Sequence, residues 1–436
     1  MHHYTQESRL GNNIVFLHCS GYSATIQQWR GEMVSFEEAR SIILSSVQVS
    51  GVEHVHLLEA AGRLLAADMV APWDMPMWNN SAMDGYAVRS ADCRQLPCRL
   101  DVKGFLPAGS QADGVTVEAG CAVRIMTGAP TPEGCDAVVP VEETDNGQGV
   151  VTLNEPVAKG QHIRLCGEDV PAGMTFLRTG TLIRPPEVNM LATFGKGLVP
   201  VFRRPTVAIL STGDELIELG RTPEAGEIIN SNTLSLAAAV QEVGGIPHII
   251  GIARDNRESH LEKIREGLKA DALITSAGVS AGDCDMVRDT LKELGAEQIF
   301  WKVAVKPGGP TAFAMYGAVP VFSLPGNPVS TMITFEEFVR PALLKMQGHQ
   351  RVVRPLFKAV LRESLKKKTG KVQIVRVRLE REEGRWYADS AGNQQTAILK
   401  TMVNAQAIAL LPSESGSFAA GDEVDVHFYG NYIELE

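Results

Sequence analysis

The stretch Pro205-Thr206-Val207-Ala208-Ile209-Leu210-Ser211-Thr212-Gly213-Asp214-Glu215 marks a change of style in the chain. Residues 207–210 form a short, unbroken apolar run that ends abruptly in hydroxyl, glycine and carboxylate groups. A run of this length without polar alternation suits a strand covered on both faces. Similar runs follow at residues 247–252, 272–275 and 319–322. Between them the apolar spacing is helical, at 234–243, 258–270 and 285–294. This alternation predicts a doubly wound α/β domain over 205–348. In such a domain ligands sit beyond the carboxyl ends of the strands. The residues richest in chemistry fall there. Asp214 and Glu215 follow the first run, Arg254-Asp255 the second, Ser276-Ala277-Gly278-Val279-Ser280 the third, and Leu324-Pro325-Gly326-Asn327-Pro328 the fourth. Asn327 can cap, and Pro328 open, a helix running to about residue 346.

Working outward, the pattern differs on each side. Residues 33–74 and 170–204 read as an elongated linking domain. It begins with a helix over 33–50, whose Ser35 and Glu38 form a capping box and which is expected to pack on the α/β domain. A second helical segment is expected near 55–67, and a third over 186–194. Residues 75–169 alternate short apolar runs with Gly and Pro turns, as in a β-rich domain. Beyond residue 352 apolar Val375, Val377 and Leu379 alternate with charged Arg376, Arg378 and Glu380, and Glu382-Glu383-Gly384 reads as a hairpin turn. This predicts a C-terminal β-barrel or sandwich over 352–436. Residues 1–32 have no clear period; they read as a flexible extension or as a mis-assigned start, with Met33 as the true one.

Composition excludes several classes. The 436 residues exceed one ordinary domain, at roughly 150 residues each, so two to four units are expected. A chain that is 44% hydrophobic and 21% charged can build sizeable cores. The net charge of −10 argues against general nucleic-acid binding, so an anionic ligand must be met by local cations. The seven cysteines are odd in number and lack CxxC spacing, which disfavours a disulfide framework or structural zinc and fits a cytoplasmic setting. No apolar run approaches the length of a membrane span.

Several clusters could carry chemistry. Asn79 to Val88 packs amide, hydroxyl and carboxylate groups against Gly85, and reads either as a decorated turn or as a ligand loop. Arg124 and Thr127 could reach an anion. Gly167-Glu168-Asp169 is a third polar cluster, next to Arg164. Asp214, Glu215, Asp255, Asp283 and Asp285 stand near predicted strand ends, where converging carboxylates would suit Mg²⁺. Residues 276–282 offer backbone N–H groups and two hydroxyls to a phosphate but are not a Walker loop. Lys302 and Lys306, four apart on an expected strand, would share a face, beside the glycine loop Lys306-Pro307-Gly308-Gly309-Pro310. Together these residues point to a Mg²⁺-assisted site for a phosphate-bearing small molecule.

Seven strings occur in order: NSAMDGYAV, RIMTGAP, GED, STGDEL, SAGVSAGDCD, WKVAVKPG and LPGNPVS. With them the chain, from about residue 33 to its end, resembles the molybdopterin molybdenumtransferase family, MoeA in bacteria and the gephyrin E domain in animals. The resemblance implies an elongated homodimer of four-domain subunits. It also implies an enzyme that inserts molybdenum from molybdate into adenylylated molybdopterin with release of AMP, using Mg²⁺. Implied partners are a second copy of the chain, the molybdopterin adenylyltransferase and molybdoenzyme-maturation proteins. Residue by residue, Asp84, Thr127 and Asp169 would act at the partner subunit's cleft, with Lys302 and Lys306 as paired cations. Glu215, Asp255 and Asp285 would be metal ligands or nucleotide contacts, and Ser276, Gly278 and Ser280 would form the phosphate loop. Pro325, Asn327, Pro328 and Ser330 match the LPGNPVS loop, and Arg376 with Thr396 the barrel's share of the oxyanion site. Three positions depart from the family. Ala277 stands where bacterial members usually have Gly, Gly309 replaces a common Lys, and Thr396 stands where Ser is usual.

Three rival readings remain. A molybdopterin adenylyltransferase shares the α/β fold but usually carries a GGTG loop and lacks the NSAMDGYA module. A non-catalytic scaffold or cofactor carrier is the second, and a tungstate-using homologue the third.

Overall fold

The structure of the protein, a computed structural model, describes residues 33–278 and 286–430. The expectations for residues 1–32, Ser280, Asp283 and Asp285 lie outside the described residues.

The α/β domain is built on six strands in the order Ile246–Ala253, Thr206–Thr212, Ala272–Ser276, Val319–Leu324, Ala312–Tyr316 and Glu297–Phe300. The first four run parallel; the last two extend the sheet antiparallel. Side chains alternate across the sheet, so Val207 and Ile209 enter one core while Ala208 and Leu210 enter the other. Both faces are covered, which is why these strands are continuously apolar. Helices Ser231–Glu242, Arg257–Gly267, Met286–Glu293 and a continuous helical stretch from Pro328 to Met346 cover the sheet. That last stretch passes through a π turn at Phe335–Val339.

The first core is shared between domains. Phe36, Ala39 and Ile43 of helix Phe36–Ser46 pack into it from one side, and Val372, Ile374 and Ile408 from the other. An 11-residue helix is marginal in water. Ser35 and Glu38 cap it reciprocally, through bonds of 3.1 and 3.4 Å, and such a cap contributes about 1 kcal/mol. Burying Phe36 and Ile43 contributes roughly 1.5–3 kcal/mol each, so packing outweighs capping. Ile43→Ala is the single change that would loosen it most, at about 2–5 kcal/mol.

The C-terminal strands Phe357–Leu361, Val372–Glu382, Arg385–Ser390, Ala407–Leu411 and Glu423–Phe428 close on themselves as a five-stranded barrel. Its hairpin turns at Glu383 and Gly384, both with positive φ, as a two-residue type I′ turn requires. Val305–Lys306 of the α/β domain adds a parallel strand against Val372 and Gln373, so the barrel and the α/β domain share a ladder.

The β-rich domain is a five-stranded sheet in the order Ala137–Pro140, Gly85–Val88, Cys121–Ile125, Cys98–Leu106 and Val150–Leu153. A methyl on Gly85 would stand 1.9 Å from the Val139 carbonyl, so only glycine lets these strands meet. The linking region pairs Val52–His56 with Leu198–Phe202 and Met69–Val70 with Thr175–Leu177, and holds helix Pro185–Thr193. Here the expected helix over 55–67 does not form. Residues to His56 are a strand, followed by one 3-10 turn at Leu57–Ala60. The partner strand takes the backbone bonds, and Gly62 turns the chain at φ 77°. The helical spacing of apolar residues serves a packed turn instead, with Ala60 and Leu65 in the core. No helix among the described residues is long and apolar enough to cross a membrane.

Candidate functional site

The strand order reverses at Thr206–Thr212. The chain leaves it for a neighbour on one side, then returns to Ala272–Ser276 on the other. Such a switch point opens a crevice at the carboxyl ends of the two strands. Two asparagines at the start of helix Ser231–Glu242 lace its floor together. Asn230 is the buried N-cap and accepts from Ser211 Oγ at 2.9 Å and from Thr233 Oγ1 at 3.0 Å. Asn232 Nδ2 donates to Ser276 Oγ and to the Gly326 carbonyl, both at 2.8 Å. Sequence reasoning missed both; the Asn-Ser-Asn run at a helix start was the available signal.

Ser276 is buried at the end of its strand. Ala277 and Gly278 follow with φ of 75° each. A methyl on Gly278 would lie 2.4 Å from Val287 Cγ2 and 3.2 Å from Thr212 Oγ1, so the loop is pressed against the first strand's end. On the far side Pro325 is buried, and its carbonyl accepts from Thr331 Oγ1 at 2.5 Å. Ser330 is also buried. Asn327 occupies the N-cap position of helix Pro328–Thr334 but does not cap with its side chain. Its Oδ1, the atom that would cap, has no protein partner, while its Nδ2 donates to Thr396 Oγ1 at 3.0 Å. That bond joins the LPGNPVS loop to the barrel.

Arg376 lies on the barrel strand next to this junction and is fully buried. Its Nε donates to Thr401 Oγ1 at 3.0 Å, and Nη2 to the carbonyls of Asn393 and Gln395 at 3.4 and 3.3 Å. Nη1 has no protein partner. Burial lowers the guanidinium's pKa, and no charged neighbour offsets it. Arg376 therefore positions the 393–396 loop through Nη2, and its Nη1 stays buried without a protein partner.

Lys302 and Lys306 are both exposed. The stretch between them is not the regular strand expected. Val305 N–H donates to the Val303 carbonyl at 2.8 Å, a three-residue turn, because Val303 pairs with Val34 while Val305 pairs with the barrel. Strand alternation therefore does not decide where the two ammonium groups point. Gly308 follows the cis Lys306–Pro307 bond at φ 100°, and a methyl there would lie 2.3 Å from Thr334 Cγ2.

The acids gather at the neighbouring strand end. Asp214 N–H donates to Asp255 Oδ2 at 3.3 Å and Asp255 N–H to Asp214 Oδ1 at 3.1 Å, tying the two loops. Arg254 Nη1 donates to the carbonyls of Asp214 and Leu216 at 3.1 and 3.0 Å. The Glu215 carboxylate lies over Gly213, where a methyl would sit 2.2 Å from its Oε2. Among the described residues no group of three or more His, Cys, Asp or Glu converges as a metal site.

Asp84, Thr127 and Asp169 lie in the β-rich domain. Asp84 Oδ1 accepts from both N–H and Oγ1 of Thr127 at 2.7 Å. Those bonds, the backbone one first, hold the exposed Asp84 carboxyl below its ordinary range. Asp169 is exposed, and its N–H donates to the Met75 carbonyl at 3.1 Å.

Comparison with known proteins finds three matching regions. The MoeA N-terminal region (domains I and II) matches residues 34–195, the probable molybdopterin binding domain 208–345, and the MoeA C-terminal region (domain IV) 358–429. The chain is 37% identical over 406 residues to molybdopterin molybdenumtransferase 2 of Mycobacterium tuberculosis, covering 90% of this chain and 99% of that protein. It belongs to the molybdopterin molybdenumtransferase family. A molybdopterin molybdenumtransferase of Haemophilus influenzae is 35% identical over 408 residues, covering 92% of this chain and all of that one. Among solved structures, a molybdopterin biosynthesis MoeA protein from Pyrococcus horikoshii OT3 superposes with a TM-score of 0.77 at 31% identity, covering 91% of this chain and 100% of its own. In this family's division, Asp84, Thr127 and Asp169 fall in the N-terminal region. The crevice acids, both lysines and the LPGNPVS loop fall in the molybdopterin binding domain, and Arg376 with Thr396 in domain IV.

Proposed function

We propose that this chain inserts molybdenum from molybdate into adenylylated molybdopterin with release of AMP, working with Mg²⁺ as a homodimer. The observation that carries the reading is the junction of crevice and barrel. The LPGNPVS loop bonds Thr396 at 3.0 Å beside a buried arginine that has a nitrogen to spare. Curated relatives bearing the transferase name over nearly their whole length add support.

Molybdate, a tetrahedral dianion, docks on Lys306, Ser330, Arg376 and Thr396, whose N–H and O–H groups suit its oxygens. The 276–278 loop receives the anhydride phosphates at its Gly278 end, since the Ala277 N–H is already bonded to the Leu324 carbonyl. The donor chemistry fits Mg²⁺: Glu215 and Asp255 are exposed carboxylates, and this ion needs only one or two together with substrate phosphates. When bound, it supplies charge neutralisation on the leaving phosphate. Water attacks the anhydride phosphorus, the P–O–P bond breaks and AMP leaves; the two dithiolene sulfurs replace two molybdate oxygens, which leave as water with protons from the thiols and solvent. Asp84, Thr127 and Asp169 serve the cleft of the second subunit, and Thr127 orients the Asp84 carboxylate for that task.

A reconstitution tests this, with adenylylated molybdopterin, Mg²⁺ and molybdate, measuring AMP. Release that requires molybdate and is lost in Lys306→Ala is the expected outcome. Adenylylation of molybdopterin from ATP without molybdate would instead favour the adenylyltransferase reading, and binding without turnover a scaffold. Tungstate in a parallel reaction decides the oxyanion.

A further inference from the structure

Asn232 is half-buried at the second position of helix Ser231–Glu242, and its amide reaches two loops at once. Nδ2 donates to Ser276 Oγ and to the Gly326 carbonyl at 2.8 Å each, with Thr331 Oγ1 at 3.4 Å. A carbonyl can only accept, so the NH₂ face must point to Gly326, and the amide's orientation follows from the network. The opposite atom, Oδ1, is buried without a protein partner. The loops it joins touch: a methyl on Gly326 would stand 3.0 Å from Ala277 Cβ, and Ala277 N–H donates to the Leu324 carbonyl at 3.1 Å. Its base is rigid, because the preceding Asn230 caps the helix and bonds Ser211 on the first strand.

We propose that Asn232 is a positioning residue. It sets the spacing between the 276–278 loop and the 325–327 loop, so that a nucleotide phosphate meets both in register. The proposal rests on the nucleotide-binding reading of the crevice given above. Catalytic and binding geometry tolerates only a fraction of an ångström, so a clamp two bonds wide is felt in affinity. Because Asn232 acts through Ser276, the two residues form one unit and their losses should not add.

Calorimetric titration of the full chain with AMP provides the test, using wild type, Asn232→Ala, Ser276→Ala and the double variant, each with a thermal melt. Asn232→Ala is expected to weaken AMP binding on the order of tenfold, as loss of two hydrogen bonds implies. The double variant should bind no more weakly than the weaker single. Asn232→Leu preserves the side-chain volume and gives the same loss if the alanine variant fails to fold. Wild-type affinity in Asn232→Ala, losses that multiply, or a lowered melting temperature with unchanged affinity would each overturn the proposal. If the wild-type chain does not bind AMP, the nucleotide reading falls and this inference with it. If it binds AMP and the variants bind equally, only the inference falls.

Discussion

The barrel carries Arg376 and Thr396, so the proposed site depends on its docking on the α/β domain. A buried polar pair pins that contact. His427 of the barrel strand Glu423–Phe428 lies 2.8 Å from Glu337 of the π turn, and both side chains are about 95% buried, at 4% and 5% exposure. Arg40 of the first helix adds a longer contact to Glu337 at 3.9 Å. Burial opposes the charged imidazolium, but the Glu337 hydrogen bond and charge outweigh it and raise His427 above its ordinary pKa. Glu336, Arg340, Arg354 and Tyr429 surround the pair. Removing one partner of a buried pair costs about 3–5 kcal/mol, because the other is left uncompensated. Arg40 remains near Glu337 in His427→Ala, which favours the lower end, about 3 kcal/mol. At about 2 °C per kcal/mol for a unit of this size, the melting temperature should fall by about 6 °C. A raised histidine contributes stability that is fully present below its unfolded pKa and is lost as pH rises through the folded one. The difference between wild type and His427→Ala should therefore be largest below about pH 6.5 and shrink at higher pH. Glu337→Gln should remove or invert that pH dependence, because burial then opposes the charged imidazolium without the Glu337 charge. Differential scanning calorimetry from pH 5.5 to 9 measures both. A shift under about 2 °C, or one that grows with pH, refutes the reasoning.

Three further outcomes are expected. Gly308→Ala drives a methyl to 2.3 Å from Thr334 Cγ2 at φ 100°; a loss of about 1–3 kcal/mol in a urea titration, with reduced AMP release, should follow. Ala277→Gly relieves an alanine held at φ 75°; it should stabilise by up to about 1 kcal/mol after the entropic cost of glycine, and a lower urea midpoint would contradict the strain argument. Asn230→Ala removes a helix cap and the acceptor that Ser211 and Thr233 share; a destabilisation of about 1–2 kcal/mol should appear, with AMP binding weakened as the crevice floor loosens.

Much of this molecule is legible in its sequence because some signals are local. The capping box at Ser35 and Glu38, the Glu383–Gly384 turn and the apolar runs of the central sheet each depend on neighbours a few residues apart. The helix expected over 55–67 fails for the complementary reason: segments far along the chain capture its backbone groups, the strand Leu198–Phe202 those of Val55 and His56, and Thr181 and Ile183 those of Leu65 and Gly62. Asn327 makes a related point within the site: the expected local cap is absent, and its amide Nδ2 bonds Thr396 of another domain.

By itself the sequence determined the domain order, the doubly wound sheet and, through seven short strings, the family. The order and the sheet follow from periodicity; the family follows from the resemblance that the seven strings carry. Only the tertiary structure decided which residues share a site. It brought the LPGNPVS loop to the barrel, buried Arg376 without a carboxylate, broke the expected strand between the two lysines, and made Asn232 a bridge between loops. Each of these depends on distances between segments far apart in the chain. Such distances are settled by the packing of the cores that join the domains, not by any run of neighbouring residues.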